Sequence, residues 1–226
     1  MEKQFQQVAS LIGDPARAKM LWALLDGKAY TATELAMNAD ISPQNASMHL
    51  NKLLQADLLR VETQGRHRYF TFSRQDVAYA IEALANLIPY SKHEKNADNE
   101  TTSAIKYCRT CYDHLAGKVG VLITDSLLKQ KLIIKNETDF DVTAKGIKWF
   151  AEIKINTDEL KFQRRAFAKT CLDWSERRHH ISGALGAALL DKMLAADWLR
   201  RTKNSRAMVI TSKGQKALYE WFKVEV

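Results

Sequence analysis

The chain has 226 residues, with 34 Lys/Arg against 26 Asp/Glu for a formal net charge of +8, and 46% of its residues are hydrophobic. That length exceeds one typical domain and that apolar content is enough for packed cores, so a disordered or fibrous chain is excluded. Three cysteines, an odd number in a chain this size, do not make a secreted disulfide framework. No apolar run reaches the length of a membrane span, and MEKQFQQVASLIGD carries no signal-peptide core, so a cytoplasmic protein without a membrane partner is expected.

In chain order, Phe5, Val8, Leu11 and Ile12 form one apolar helical stripe, and Asp14-Pro15 opens the next helix. Thr31 and Glu34 have the T-x-x-E spacing of a capping box, which starts a short helix at Leu35's apolar face. After the turn Asn38-Ala39-Asp40, Ser42 is the expected N-cap and Pro43 the first residue of a further helix. Ala46, Leu50, Leu53 and Leu54 share its apolar stripe, which leaves Gln44, Asn45, Ser47, Met48, His49, Asn51 and Lys52 to the other faces. Gln and Asn suit bidentate pairing with adenine, while Ser, His and Lys can hold phosphates, so this face, with Ser42 at its start, is a candidate reader of the major groove. Leu59 to Thr63 and His67 to Phe72 are expected to be strands around Gln64-Gly65-Arg66. Arg66, His67 and Arg68 at that tip suit phosphates or a narrow minor groove. Val77, Ile81, Leu84 and Leu87 then repeat at helical spacing.

Residues 3 to 90, most specifically ISPQNASMHLNKLLQADLL and QGRHRYFTFS, resemble the ArsR family of winged helix-turn-helix transcriptional regulators. The resemblance implies DNA-facing positions at Gln44, Asn45, Ser47 and His49 and a wing carrying Arg66 and Arg68. It also implies a homodimer formed through the first and last helices, which binds an inverted repeat in double-stranded DNA and represses until an effector releases it. Two family features are missing: ELAMNAD offers no thiolate where metal-sensing members have cysteines, and residues 74 to 90 contain Asp76 and Glu82 but no His, the first after the wing being His93. Any sensor is therefore expected elsewhere.

The polar segment SKHEKNADNETTS, residues 91 to 103, is the expected linker between a DNA-binding and dimerisation domain at 1 to 90 and a C-terminal domain at 104 to 226. Residues 1–90 hold 9 Lys/Arg and 9 Asp/Glu, whereas residues 103–226 hold 23 and 14, so the cationic excess belongs to the second part. There HLAGKVGVLITDSLL from His114 repeats as HISGALGAALLDKML from His180, and VTAKG from Val142 as ITSKG from Ile210. The expected architecture is α+β, mainly α: an N-terminal winged helix-turn-helix followed by two repeated helix-hairpin-helix, winged-helix-like units. The H-x-x-G-x-x-G rows are expected to lie on one helical face, with glycines that let helices approach closely in preference to a phosphate or cofactor role.

All three cysteines stand just before these rows, in YCRTCYDHLAG and KTCLDWSERRHHISG. Read as one helix, Cys108, Cys111 and His114 would face a common point that Cys171, Trp174 and His180 could approach from the second repeat. Three readings stand for this candidate sensor site: inert packing, redox or metal sensing with zinc or another thiophilic ion, and an organic-ligand pocket. CYDHLAG followed by CLDWSERR also resembles a C-terminal extension found in a subset of ArsR-like bacterial regulators. The expected function is a sequence-specific, non-enzymatic DNA-binding regulator, a repressor responding to a redox, metal or small-molecule effector. The rivals are an architectural protein that coats DNA without sequence preference and, less favoured, a thiol oxidoreductase using Cys108 and Cys111.

Overall fold

A computed structural model describes residues 1–87, 100–203 and 205–226. The chain divides into two compact units, Met1–Ala85 and Asn86–Val226.

The first unit begins with α1 (Glu2–Ile12), which buries none of its residues, and α2 (Pro15–Leu24), whose N-terminus is capped where the Asp14 side chain accepts the Arg17 backbone N–H. Strand β1 (Tyr30–Thr31) leads into α3 (Ala32–Ala39), and the capping box forms as the spacing requires: Thr31 accepts from the Glu34 backbone while Glu34 accepts from the Thr31 backbone. Asp40 ends that helix in the left-handed conformation, and α4 (Pro43–Gln55) starts at the Ser42 cap. The hairpin β2 (Leu59–Gln64) and β3 (His67–Phe72) turns at Gly65-Arg66, with Gly65 at φ +59°, and pairs Gln64 with His67 at its tip. Strand β1 extends it to a three-stranded sheet of order β1-β3-β2, an addition too short to leave a periodic signal in sequence. α5 (Gln75–Leu84) and a 3-10 turn at Ala85–Leu87 follow. Met20, Leu21, Leu24, Leu35, Leu50, Leu53, Phe70 and Phe72 are fully buried and hold the helices on the sheet.

Residues 91–99 of the expected linker lie outside the described residues, and its end is corrected, since α6 (Glu100–Tyr107) is already helical from Glu100. The repeat is real but larger than the rows indicated. Its first copy runs β4 (Arg109–Cys111), β5 (His114–Ala116), α7 (Gly117–Lys129), β6 (Ile133–Lys135), β7 (Phe140–Val142) and α8 (Ala144–Glu152), followed by the short α9 (Thr157–Lys161). The second runs β8 (Lys169–Leu172), β9 (His179–Ser182), α10 (Gly183–Ala195), β10 (Leu199–Arg201), β11 (Met208–Ile210) and α11 (Ser212–Phe222). Each copy thus contains the expected helix, hairpin and capped helix, the caps being Thr143 and Thr211, and adds a β-hairpin in front.

The helical reading of Cys108, Cys111 and His114 is corrected accordingly. Cys111 and His114 are cross-strand partners, and His180 opens onto its helix from strand β9, so the two His-x-x-Gly-x-x-Gly rows begin on strands and only their glycines are helical. Cys108 stands at the bend between α6 and β4, outside the strand that carries Cys111, and so shares no helical face with it.

The copies are interlocked. The backbone N–H of Met208 donates to the carbonyl of Cys108, and that of Thr110 to Arg206; symmetrically, Phe140 donates to Ala168 and Thr170 to Thr138. Each leading hairpin is therefore tied to the wing-like hairpin of the other copy. A single apolar core runs through both, including Val119, Leu127, Phe140, Phe150, Leu185, Leu199, Leu218 and Phe222.

Candidate nucleic-acid interface and a cysteine–histidine cluster

On α4, Ala46, Leu50 and Leu53 are buried, and Ser42, Gln44, Asn45, Ser47, Met48, Asn51 and Lys52 are exposed. An amphipathic helix whose polar side has amides, a hydroxyl and an ammonium presents hydrogen-bonding groups to whatever it meets. Ser42 is committed to its cap, accepting from the Asn45 N–H at 3.3 Å, and the Ser47 hydroxyl donates back to the Pro43 carbonyl at 2.9 Å. Gln44, Asn45, Asn51 and Lys52 carry the outward polarity. Arg66, His67 and Arg68 are exposed on the hairpin, where the Arg66 side chain donates to His67 and the Arg68 guanidinium lies 5.5 Å from the Phe70 ring centroid.

His49 differs from the other members of the predicted row. It is half-buried, its Nδ1 3.1 Å from an Arg17 guanidinium nitrogen and 3.7 Å from Asp14. Arg17 in turn donates to the carbonyls of Ser10 and Leu11. His49 therefore orients α4 against the junction of α1 and α2 and reaches outward less than its neighbours. Nothing in the sequence near residue 49 announces partners 32 and 35 positions away.

In the second unit the expected sensor residues separate into two groups. Cys111, His114, Cys171 and His180 converge, with one donor atom from each lying within 4.8 Å of all the others. Cys108 instead packs into the apolar core, and burial pushes its thiol pKa up to about 12, where it stays protonated and inert. Trp174 stands beside the cluster with its ring 4.5 Å from the Arg109 guanidinium.

The convergence follows from the hairpins. Cys111 pairs with His114 across β4 and β5, and Cys171 with His180 across β8 and β9, so each copy sets a thiol and an imidazole side by side. Gly120 of α7 and Gly186 of α10 permit the approach of the two copies. A Cβ at Gly186 would lie 3.2 Å from the His114 Cβ, and one at Gly120 would lie 3.8 Å from that of His180. The glycines thus serve close packing, but of each helix on strands and not of helix on helix as expected. As a result the Cys111 and Cys171 sulfurs stand 3.9 Å apart and the two His Nε2 atoms 3.0 Å apart. Cys111, His114 and His180 are buried and Cys171 is half-buried.

A carboxylate lies behind each imidazole. His114 Nδ1 is 3.2 Å from Asp113, which also pairs with Arg165, and His180 Nδ1 is 3.2 Å from Asp173. Asp173 is fully buried and accepts from Arg109, Ser175 and Glu176 and from the Gly117 N–H that begins α7. Against the penalty of burial, contacts with His180 and Arg109 hold its carboxyl well below the usual range. Burial by itself would lower the His114 pKa, but the Cys111 sulfur and Asp113 outweigh it and raise the value to about 9.

A sequence signal for this pairing exists at a different offset from the helical rows. Arg109-Thr110-Cys111-Tyr112-Asp113 aligns with Lys169-Thr170-Cys171-Leu172-Asp173, after which His114 and His180 follow their cysteines by three and nine residues. The longer turn of the second hairpin shifts the register and hides the match.

A family model described as a helix-turn-helix domain matches residues 12–62. The chain is 43% identical over 226 residues to the HTH-type transcriptional regulator YdfF of Bacillus subtilis (strain 168), covering all of both chains. It is 33% identical over 81 residues to the transcriptional repressor SdpR of the same organism, covering 36% of this chain and 89% of SdpR. Among solved structures, the homodimeric winged helix-turn-helix DNA-binding domain of Mb0332 from Mycobacterium bovis aligns with a TM-score of 0.36 and 20% identity, over 43% of this chain and 89% of its own length. Among the described residues no helix is long and apolar enough to cross a membrane. With a full-length relative at this identity and a capped helix pair followed by a cationic hairpin, the chain belongs to the HTH-type transcriptional regulators.

Proposed function

We propose that the protein is a cytoplasmic repressor that binds an inverted-repeat operator as a homodimer, and that the second unit receives the signal that releases it. The observation carrying the DNA-reading part is the division of α4 into a buried stripe of Ala46, Leu50 and Leu53 and an exposed row of Gln44, Asn45, Asn51 and Lys52, followed by a hairpin tip with Arg66, His67 and Arg68. In this reading α4 enters a major groove, its amides reading base edges, while Lys52 and the tip hold phosphates. His49 and Ser42 set the helix's angle and start.

The homodimer is supported by α1, which buries no residue in its own unit and leaves Phe5 73% exposed, and by Leu84 at the end of α5 and Leu87 in the 3-10 turn after it, which are exposed while Val77 and Ile81 are buried. Of the two apolar stripes, the first is exposed at Phe5 and half-buried at Val8, Leu11 and Ile12, and the second is shared between core and surface. A two-fold dimer presents its recognition helices to half-sites about one turn of DNA apart. The repressor assignment draws on SdpR, whose name carries that role.

The test is fluorescence anisotropy of the reduced, full-length protein on the duplex upstream of its own gene against a scrambled duplex at physiological salt. A preference of about a thousandfold supports operator recognition. Equal affinity for both would replace this reading with non-specific coating of DNA.

A further inference from the structure

We propose that Cys111, His114, Cys171 and His180 form a closed, four-ligand binding site for one thiophilic divalent metal ion of the zinc class. The first argument is metric. Tetrahedral coordination with metal–sulfur bonds of about 2.3 Å and metal–nitrogen bonds of about 2.0 Å separates two sulfurs by about 3.8 Å and two nitrogens by about 3.3 Å. The sulfurs here are 3.9 Å apart, the Nε2 atoms 3.0 Å apart, and all four donors lie within 4.8 Å of one another. The sulfur–sulfur and nitrogen–nitrogen separations match to a few tenths of an ångström, and the widest donor separation, up to 4.8 Å, closes toward about 3.5 Å by side-chain rotation when an ion binds.

The second argument is the orientation of the imidazoles. Each turns its Nδ1 to a carboxylate, Asp113 or Asp173, and its Nε2 to the cluster. A carboxylate behind Nδ1 keeps the proton there and leaves a lone pair on Nε2. Two such nitrogens facing each other at 3.0 Å share either a proton carried by one ring or a cation held between them. With both thiolates present, a divalent ion supplies that positive charge and satisfies all four donors at once. Two sulfurs and two imidazole nitrogens in a tetrahedral arrangement favour zinc over hard ions such as magnesium or calcium.

The third argument is duplication. The thiol, the imidazole and the carboxylate behind it occur once in each copy of the repeat, on matching strands, despite the unequal turns between Cys and His. Each copy supplies half a coordination shell, and the interlocked hairpins bring the halves together. Four protein ligands leave no position for a reacting water, so the site holds its ion and does not catalyse.

This site goes beyond the DNA-reading proposal, and its test does not involve DNA, so either can fail alone. Full-length protein, stripped of metal and kept reduced, is titrated with Co2+. We expect one equivalent per chain, with the strong visible bands of tetrahedral cobalt, near-ultraviolet thiolate charge transfer, and bleaching by one equivalent of Zn2+. Cys111→Ser and Cys171→Ser should each weaken Co2+ binding by more than tenfold, and Cys108→Ser should leave it unchanged. Because the ligand variants can misfold, X-ray absorption of the zinc-loaded wild type gives an independent reading: two sulfurs at about 2.3 Å and two nitrogens at about 2.0 Å. The proposal is overturned by absence of uptake, an octahedral cobalt spectrum, a sulfur-free shell, or loss of binding in Cys108→Ser. It is equally overturned if the reduced protein takes no metal and its only chemistry is a Cys111–Cys171 disulfide.

Discussion

Replacing Gly186 by alanine tests how tightly the two copies of the repeat are pressed together. In an unconstrained helix interior this change is favourable by about 1 kcal/mol, because alanine loses less backbone entropy. Here the added methyl would lie 2.6 Å from the Ile181 carbonyl oxygen and 3.2 Å from the His114 Cβ. Carbon–oxygen contacts settle near 3.3 Å, so α10 must shift by roughly 0.7 Å relative to β9, the strand that runs into it, and the shift is opposed on the other copy's side by the His114 Cβ at 3.2 Å. Overpacking of this kind costs about 1–3 kcal/mol, and the upper part of that range applies because no rotamer moves a backbone oxygen or a Cβ aside. Subtracting the helical gain leaves a net loss of ~1–2 kcal/mol, or a Tm lower by roughly 3–8 °C for a unit of this size. Tryptophan fluorescence during heating or urea unfolding reports it well, since Trp149, Trp174, Trp198 and Trp221 all lie in the second unit and only Trp22 in the first. A Tm equal to or above that of the parent protein would refute the close approach of α10 to β9 and β5.

Ser42→Ala removes the cap of α4 and should lower the first unit's stability by about 1 kcal/mol, read by circular dichroism in urea, while Ser42→Asp should retain it; equal losses in both would sink the capping argument. Asp14 is held below the ordinary carboxylate range, foremost by the Arg17 backbone N–H it accepts. A depressed pKa contributes stability that is present above the unfolded value of about 4 and is lost as pH falls through the folded value. Asp14→Asn should therefore flatten the acid limb of the first unit's stability curve and leave its helix capped; an unchanged pH profile would contradict this. Phe5→Glu places a charge on the uncovered stripe of α1 and should convert a dimer to a folded monomer in sedimentation equilibrium, an outcome that persistence of the dimer would rule out. Arg66→Ala should reduce the slope of log K against log salt by about 0.9, equally on matched and mismatched duplexes, whereas Gln44→Ala should change their ratio.

The first unit was legible because its signals are local. Thr31 with Glu34, Ser42 with Pro43 and the Gly65 turn each act within four residues, and the helices and hairpin they delimit form as read. Strand β1 escaped because two residues carry no periodicity. His49 was misjudged as freely outward because its surroundings, Arg17 and Asp14, come from another helix. In the second unit, a spacing of three linked Cys108, Cys111 and His114 and mimicked a helical face. The physical link is a hairpin pair, in which Cys111 faces His114 and Cys108 belongs to the core. The four converging residues were within the set that the sequence singled out, but only tertiary packing distinguishes them from Cys108 and Trp174.

The interlocking of the copies has a mechanical consequence for the cluster. If each leading hairpin packed only within its own copy, the two Cys–His pairs could drift apart at the cost of side-chain contacts alone. Instead β4 is bonded to the strand before α11 and β8 to the strand before α8, through Met208, Thr110, Phe140 and Thr170. Separating the pairs would break backbone hydrogen bonds in both copies and expose Asp173, whose partners Arg109 and Gly117 belong to the first copy while it belongs to the second. Leaving Arg109 buried without that carboxylate costs about 3–5 kcal/mol. The donors are thus held near coordination distance by the fold itself, which is the condition under which binding an ion requires little reorganisation.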